Sequence, residues 1–431
     1  MSKLDFLLKI YPTITNLLFP MVKPFLRKGH AIGFDERCGY YDGYKIKAFT
    51  ERPLWIHAVS VGEVQAAFPL VREIKRSGSQ VPIVLSTVTE TGHIMAKKLM
   101  DADLDLLLFA PWDVASVIDR ALNAINPRAY ITMETEIWPN ILLQLQKRGI
   151  PSFLLNGRVS DRALARAVGW KKGVLSRLLR CFTRILARED ADADRFCAIG
   201  AVASAVTVVG DCKVDALLER RSNVDRQMWR DRLHLGRCAS EFNAAFPVFL
   251  AGSTHPGEDE VVLEAFSKIR TERKDARLLL VPRHPVRAEG LLPAANEVAK
   301  SCLLSQVDSD WEIVIVDQIG VLFDLYSFCT AAFIGGSLVP KGGQNLQEAA
   351  CWGIPIQHGV YMDDFAQSAL DLGKMGLAVE VRSAQELYGA WHSAMGATGG
   401  EKAALQSGCD VYFEERAGAA KRAWTIVSAY L

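Results

Sequence analysis

Two doubly wound α/β domains, each built on a buried parallel sheet, are the fold this sequence predicts, and three observations carry the prediction. The chain has 431 residues, more than one hydrophobic core of ordinary size accommodates. Short apolar runs rich in β-branched residues alternate with stretches of helical periodicity, the rhythm of βαβ units. That rhythm lapses over 217–245, where the chain reads LLERRSNVDRQMWRDRLHLGR, and then restarts. The expected organisation is an N-terminal segment over 1–28, a first domain over 29–216, a linker with helical content over 217–245, and a second domain over 246–431 ending in a helix. The two domains are expected to face one cleft, with chemistry at the carboxyl ends of the strands.

The first domain supplies seven strand candidates: LWIHAV (54–59), PIVLST (82–87), LDLLLFA (104–110), AYITME (129–134), SFLLNG (152–157), RILARE (184–189) and VTVVGD (206–211). Helical patterns fall between them, among them Val64 to Arg76 and Ile137 to Arg148. The second domain supplies FPVFLAG (246–252), ARLLLVP (276–282), WEIVIVD (311–317), AAFIGG (331–336) and GIPIQHG (353–359). Neither half contains G-x-G-x-x-G or a P-loop, which removes the main support for NAD or P-loop NTPase chemistry.

Lys plus Arg number 50 against 49 Asp plus Glu, so the chain lacks the basic excess that nucleic acid requires. Nine cysteines are scattered and never form C-x-x-C, as expected of reduced thiols in the cytosol without structural zinc. Residues 4–26 are apolar but interrupted by Lys9, Lys23, Pro12, Pro20 and Pro24, and the longest uncharged run, Ile10 to Val22, falls short of the roughly 20 residues that span a bilayer. Lysines and arginines among these apolar residues suit a segment lying in an anionic membrane interface; a terminal helix packed on its own domain is the alternative. From Arg158 to Arg188 nine basic residues are opposed only by Asp161, which reads as amphipathic helix with a cationic face.

Three constellations carry chemistry. In HAVSVGEV, Ser60 and Glu63 have the spacing of a capping box, and the same position puts Glu63 where a partly desolvated carboxylate takes a proton from an attacking hydroxyl. His57 reads as a hydrogen-bonded core histidine. In METEIWPN, Glu134, Glu136 and Trp138 share a strand end expected near Glu63, where acids either cap a helix or orient a hydroxyl. In the second half, STHPGE, PRHPVR, DQIGVLFD and GGSLVPKGGQNLQE each follow a strand and precede a helix, so backbone N–H groups converge as a phosphate site requires. There Asn345 and Glu348 suit ribose hydroxyls, and Arg283 and His284 a base or an acidic sugar. The acidic runs Asp101, Asp103, Asp105 and Asp190, Asp192, Asp194 read as solvated helix starts rather than metal ligands.

In order and spacing, HAVSVGE, METEIWPN, NGRVSDR, GDCKVD, AGSTHPGEDE, PRHPVR and GGSLVPKGGQNLQE resemble the 3-deoxy-D-manno-octulosonic acid (Kdo) transferases of Gram-negative lipopolysaccharide synthesis, over roughly residues 50–360. The resemblance implies a GT-B fold with an acceptor domain at the cytoplasmic face of the inner membrane and a donor domain for CMP-Kdo. It implies inverting transfer of Kdo to the lipid A precursor (lipid IVA) with no metal and no cofactor besides the donor substrate. It assigns the general base to Glu63, transition-state contacts to Glu134 and Lys213, and nucleotide contacts to Arg283, His284, Ile319, Gly320, Val321, Asn345, Leu346, Gln347 and Glu348. On this reading Glu63 in one domain, and Lys213 with the glycine-rich loops of the other, serve the base and the departing phosphate. The chain departs from the family pattern at GGQNLQE, where GGHNPLE is usual, and at Asp364, where asparagine is usual. Two other functions fit the bare pattern: a GT-B enzyme or epimerase using a UDP-sugar, and a two-domain binding protein without chemistry.

Overall fold

The protein is described by a computed structural model covering residues 3–41, 46, 49, 51–167, 170–235 and 246–431. It divides into two compact units, Met1–Ala216 with Arg416–Leu431, and Leu217–Glu415. The stretch 236–245, the end of the expected linker, lies outside the described residues. The earlier part of that linker is helical, over Cys212–Ser222 and Arg226–Arg232.

The first unit holds seven parallel strands: β1 (Leu54–His57), β2 (Ile83–Thr87), β3 (Leu106–Phe109), β4 (Ala129–Met133), β5 (Ser152–Gly157), β6 (Arg184–Ala187) and β7 (Val206–Val208). They lie in the order β3-β2-β1-β4-β5-β6-β7, all in parallel register. The strand residues are buried on both faces because helices cover both, which is why their sequences run continuously apolar. Leu54, Ile56, Ile83, Leu85, Ile131 and Phe153 pack on one side, and Trp55, Val84, Tyr130, Leu154 and Ile185 on the other.

The second unit repeats the plan with β8 (Val248–Thr254), β9 (Arg277–Pro282), β10 (Ser301–Leu303), β11 (Ile313–Ile315), β12 (Ala331–Ile334), β13 (Ile356–His358) and β14 (Ala378–Glu380), in the order β10-β11-β9-β8-β12-β13-β14. The sequence does not reveal β10 and β14. Both are three-residue strands at the two edges of this sheet. Gly335 is required where β12 meets the end of β8, since a Cβ there would lie 2.4 Å from the Ser253 carbonyl oxygen.

The terminal helix Ala419–Ser428 belongs to the first unit, not to the second as the sequence order suggests. Ala419, Ala423, Trp424 and Val427 enter the same core as helix Val61–Arg76, and Trp424 Nε1 donates to Ser77 Oγ at 3.0 Å. The Asp215 carboxylate accepts from the Gly418 and Ala420 amides at 2.7 Å each, closing the helix start that its own sequence leaves without a side-chain cap.

At the N-terminus, Lys3–Gly29 is one helix in spite of its three internal prolines. One face rests on the unit through Tyr11 Oη to Asp113 Oδ2 (3.3 Å), the Ser116 amide to Asn16 Oδ1 (2.8 Å) and the Phe19 ring 5.7 Å from Trp112. The other face exposes Leu17, Leu18, Met21 and Phe25. Among the described residues no helix is long and apolar enough to cross a membrane. The basic stretch forms two helices, Asp161–Ala167 and Trp170–Leu179, followed by β6.

Candidate functional site

In a doubly wound sheet the loops leaving neighbouring strands diverge where the strand order reverses, and ligands sit outside the carboxyl ends there. The first sheet reverses between β1 and β4. Glu63 follows β1 in the first turn of helix Val61–Arg76, and Glu134 follows β4 directly. Topology therefore brings together two acids about seventy positions apart in the chain.

Glu63 is 8% exposed. Its Oε2 accepts from the Val59 amide at 2.7 Å and its Oε1 from Ser60 Oγ at 3.3 Å. The expected capping box is thus only half made: the glutamate reaches back, while the Ser60 hydroxyl turns to the carboxylate and caps no backbone amide. Burial, reinforced by the charges of Glu136 and Glu134 and opposed by these two hydrogen bonds, raises the Glu63 pKa to about 7. A carboxylate poised near neutrality is suited to general-base work.

Glu134 sits at φ +53°, a left-handed conformation uncommon outside glycine and asparagine. Its amide donates to the Leu155 carbonyl at 2.8 Å, and its Oε1 is 2.5 Å from Lys213 Nζ. A Cβ built on Gly62 would lie 4.0 Å from the same Nζ, so Lys213 stands over the start of the helix that carries Glu63. Lys213 therefore stands in the acidic site of the first unit. It reaches this place because the chain after β7 folds back over the sheet: Asn156, fully buried at the end of β5, accepts the Cys212 amide on Oδ1 at 2.9 Å. Asn156 is also left-handed, at φ +56°. Its signal in the sequence is the Asn-Gly pair closing an apolar run, which favours such a conformation.

Glu136 completes the acidic group, with Trp138 Nε1 donating to its Oε2 at 2.7 Å; burial and then the Glu134 charge raise its pKa, against the lowering effect of that bond. His57 is buried, with Nδ1 3.0 Å from Ser86 Oγ, and burial lowers its pKa to about 4. It is the core histidine the sequence suggested. The acidic runs are not simply solvated: Asp192 is fully buried, accepting the Val159 amide at 2.8 Å and pairing with Arg188 at 3.0 Å, while Asp103 pairs with Arg72 at 3.4 Å. Among the described residues no three His, Cys, Asp or Glu side chains group as metal ligands.

In the second unit, the expected nucleotide residues all lie past the carboxyl ends of strands. Arg283 and His284 follow β9, Ile319–Val321 follow β11, and Asn345–Glu348 follow β12. Arg283, His284 and Ile319 are exposed, and Gly320 takes φ +84°. The Leu346 side chain is fully buried, which limits that residue to backbone contacts. Gln347 Nε2 donates to Tyr412 Oη at 2.9 Å. Glu348 lies 3.8 Å from Arg220, with its pKa raised by burial against the lowering effect of that guanidinium. One part of the phosphate expectation needs correction. The amides of Gly336, Ser337 and Leu338 are already taken by the buried carboxylate of Glu258, at 2.7, 2.9 and 2.9 Å, and the His255 amide by the same group. Glu258 shapes the loop, and further along it the Lys341 and Gly343 amides are bonded within the loop as well.

The family model for 3-deoxy-D-manno-octulosonic-acid transferase (kdotransferase) matches residues 33–216. The 3-deoxy-D-manno-octulosonic acid transferase of Haemophilus influenzae is 30% identical over 406 residues, covering 92% of this chain and 91% of that protein. The chain belongs to the Kdo transferase family. Kdo transferases are glycosyltransferases, and the two seven-stranded units are the GT-B fold: a glycosyltransferase from Rickettsia africae superposes with a TM-score of 0.57 at 12% identity, covering 88% of this chain and 99% of that one. A bifunctional glycosyltransferase/methyltransferase of Fusobacterium nucleatum is likewise 30% identical, and this Kdo transferase family member spans 57% of its length.

Proposed function

We propose that this Kdo transferase takes Kdo from CMP-Kdo and adds it, with inversion and without a metal ion, to the lipid A precursor at the cytoplasmic face of the inner membrane. The observation that carries the reading is the buried Glu63, with its proton affinity pushed to about pH 7, beside the Glu134–Lys213 pair. Glu63 removes the proton from the acceptor hydroxyl as that oxygen attacks the anomeric carbon. The bond from this carbon to the phosphate oxygen breaks, and CMP departs with the electron pair. Lys213, paired with Glu134, supplies positive charge where negative charge develops. In the second unit, Arg283, His284, the Ile319–Val321 loop and Asn345–Glu348 hold the nucleotide.

The deciding experiment incubates the protein with CMP-Kdo and a tetraacylated, bisphosphorylated acceptor in the presence of a chelator and resolves products by mass. A product heavier by Kdo supports the reading; none overturns it. A UDP-sugar enzyme would be protected from thermal unfolding by UDP rather than CMP. Peripheral attachment through the apolar face of helix Lys3–Gly29 and nearby basic residues predicts that removing residues 2–26 reduces binding to anionic vesicles and that high salt releases part of the full-length protein.

A further inference from the structure

The first unit contains a crevice with a cavity volume of about 70 Å³, open to solvent at its mouth, which His57 and Trp138 line but Glu63, Glu134 and Lys213 do not. The buried Trp55, Tyr130, Ile118 and Ile141 line it together with Trp112 and Trp138. Three ionisable residues also line it, and each is turned to partners within the protein. The Arg37 guanidinium donates to the Val88 carbonyl at 2.7 Å and lies over the Phe109 ring. The Asp113 carboxylate accepts from the Asn140 and Ile141 amides at 3.0 Å each and from Tyr11 Oη. His57 faces Ser86, which also accepts from Trp55 Nε1 at 2.8 Å. What remains for an occupant is mostly ring face and aliphatic carbon, which binds hydrocarbon and penalises a polar group that would forfeit its hydrogen bonds to water.

The surroundings say which hydrocarbon. Trp138 is bonded to Glu136, whose charge acts on Glu63, so the crevice borders the proposed base. Trp112 packs against Phe19 and Phe34, so the crevice also borders the helix that exposes Leu17, Leu18, Met21 and Phe25. We propose that this crevice seats a short stretch, a few methylenes, of one acyl chain of the acceptor, helping to fix the sugar hydroxyl at Glu63. The inference rests on the reading that the acceptor is an acylated sugar.

Three crevice tryptophans make the test direct. Quenching of tryptophan fluorescence in the full-length protein by 12-bromododecanoic acid, below its micelle concentration, should saturate. Val88→Phe and Ala110→Leu enlarge two side chains that line the crevice, and each should weaken quenching about tenfold, the loss expected from displacing one or two methylenes. The KM for the tetraacylated acceptor should rise by a similar factor, with KM for CMP-Kdo unchanged. Phe25→Ser, on the exposed helix face, should leave the quenching isotherm as it is. Unaltered quenching in both filling variants, with native circular dichroism, overturns the proposal, as does loss of quenching in Phe25→Ser alone. Saturable quenching that the filling variants weaken, in a protein that transfers no Kdo, leaves the crevice standing while the proposed function fails.

Discussion

Glu63 carries two roles that its environment makes inseparable: its carboxylate ties down the Val59 amide at a helix start and is held near neutrality by burial. Glu63→Gln should lower turnover by about two to four orders of magnitude while leaving the fold intact, as a parallel assay and circular dichroism melt would show. The wild-type rate should climb with pH up to about 7 and then level. Stability moves oppositely. Because the folded-state pKa lies above the ordinary carboxylate value, the folded protein binds the extra proton between about pH 4.5 and 7, and stability due to this group falls as pH rises through that window. The glutamine variant should therefore match wild type near pH 4 and exceed it by up to about 3 kcal/mol above pH 7, measured by denaturant unfolding across pH. Lys213→Ala and Glu348→Ala should fail differently, the first mainly in kcat, since it removes charge at the proposed reacting centre, and the second mainly in KM for the donor whose nucleotide it is proposed to hold. Equal losses in both parameters for both variants would contradict that division. Glu63 is legible in the sequence because a capping-box spacing ends an apolar strand. Asn156 is not read there, since its importance lies in a bond to an amide fifty-six positions later.

Elements are legible where they are long and central. Every strand read from a β-branched run is present, most of them one to four residues shorter than read, while β8 runs on to Thr254; β10 and β14, three-residue edge strands, are not read, although the equally short edge strand β7 is. The loops between elements are harder, since their shape depends on partners elsewhere. GGSL reads as an open cradle of amides, whereas Glu258, some eighty positions earlier, fills it. The terminal helix is a second case. Its start is closed by Asp215, and Asp215→Ala, which removes acceptors for two amides, should cost about 1–2 kcal/mol. Calorimetry should show a lower midpoint for the first unit, and CMP binding should be unchanged because the proposed nucleotide loops belong to the second.

On the scale of the molecule, each sheet places its candidate residues past the carboxyl ends of strands, and in the first the reversal between β1 and β4 brings two distant acids together without any sequence signal linking them. The family motifs identify the residues; only the topology gives their neighbours. Removing residues 416–431 should expose the apolar surface of helix Val61–Arg76 against which the terminal helix packs, lowering the first unit's stability by several kcal/mol, with tighter binding of an apolar dye as the readout. There is also an order of events in that return of the chain. A ribosome finishes the first 216 positions long before it reaches the helix that seals them, and makes the whole of the second unit in between. At about 5–20 residues per second, the nascent protein spends tens of seconds with a hydrophobic seam open beside a completed sheet, an interval in which a chaperone has something to hold.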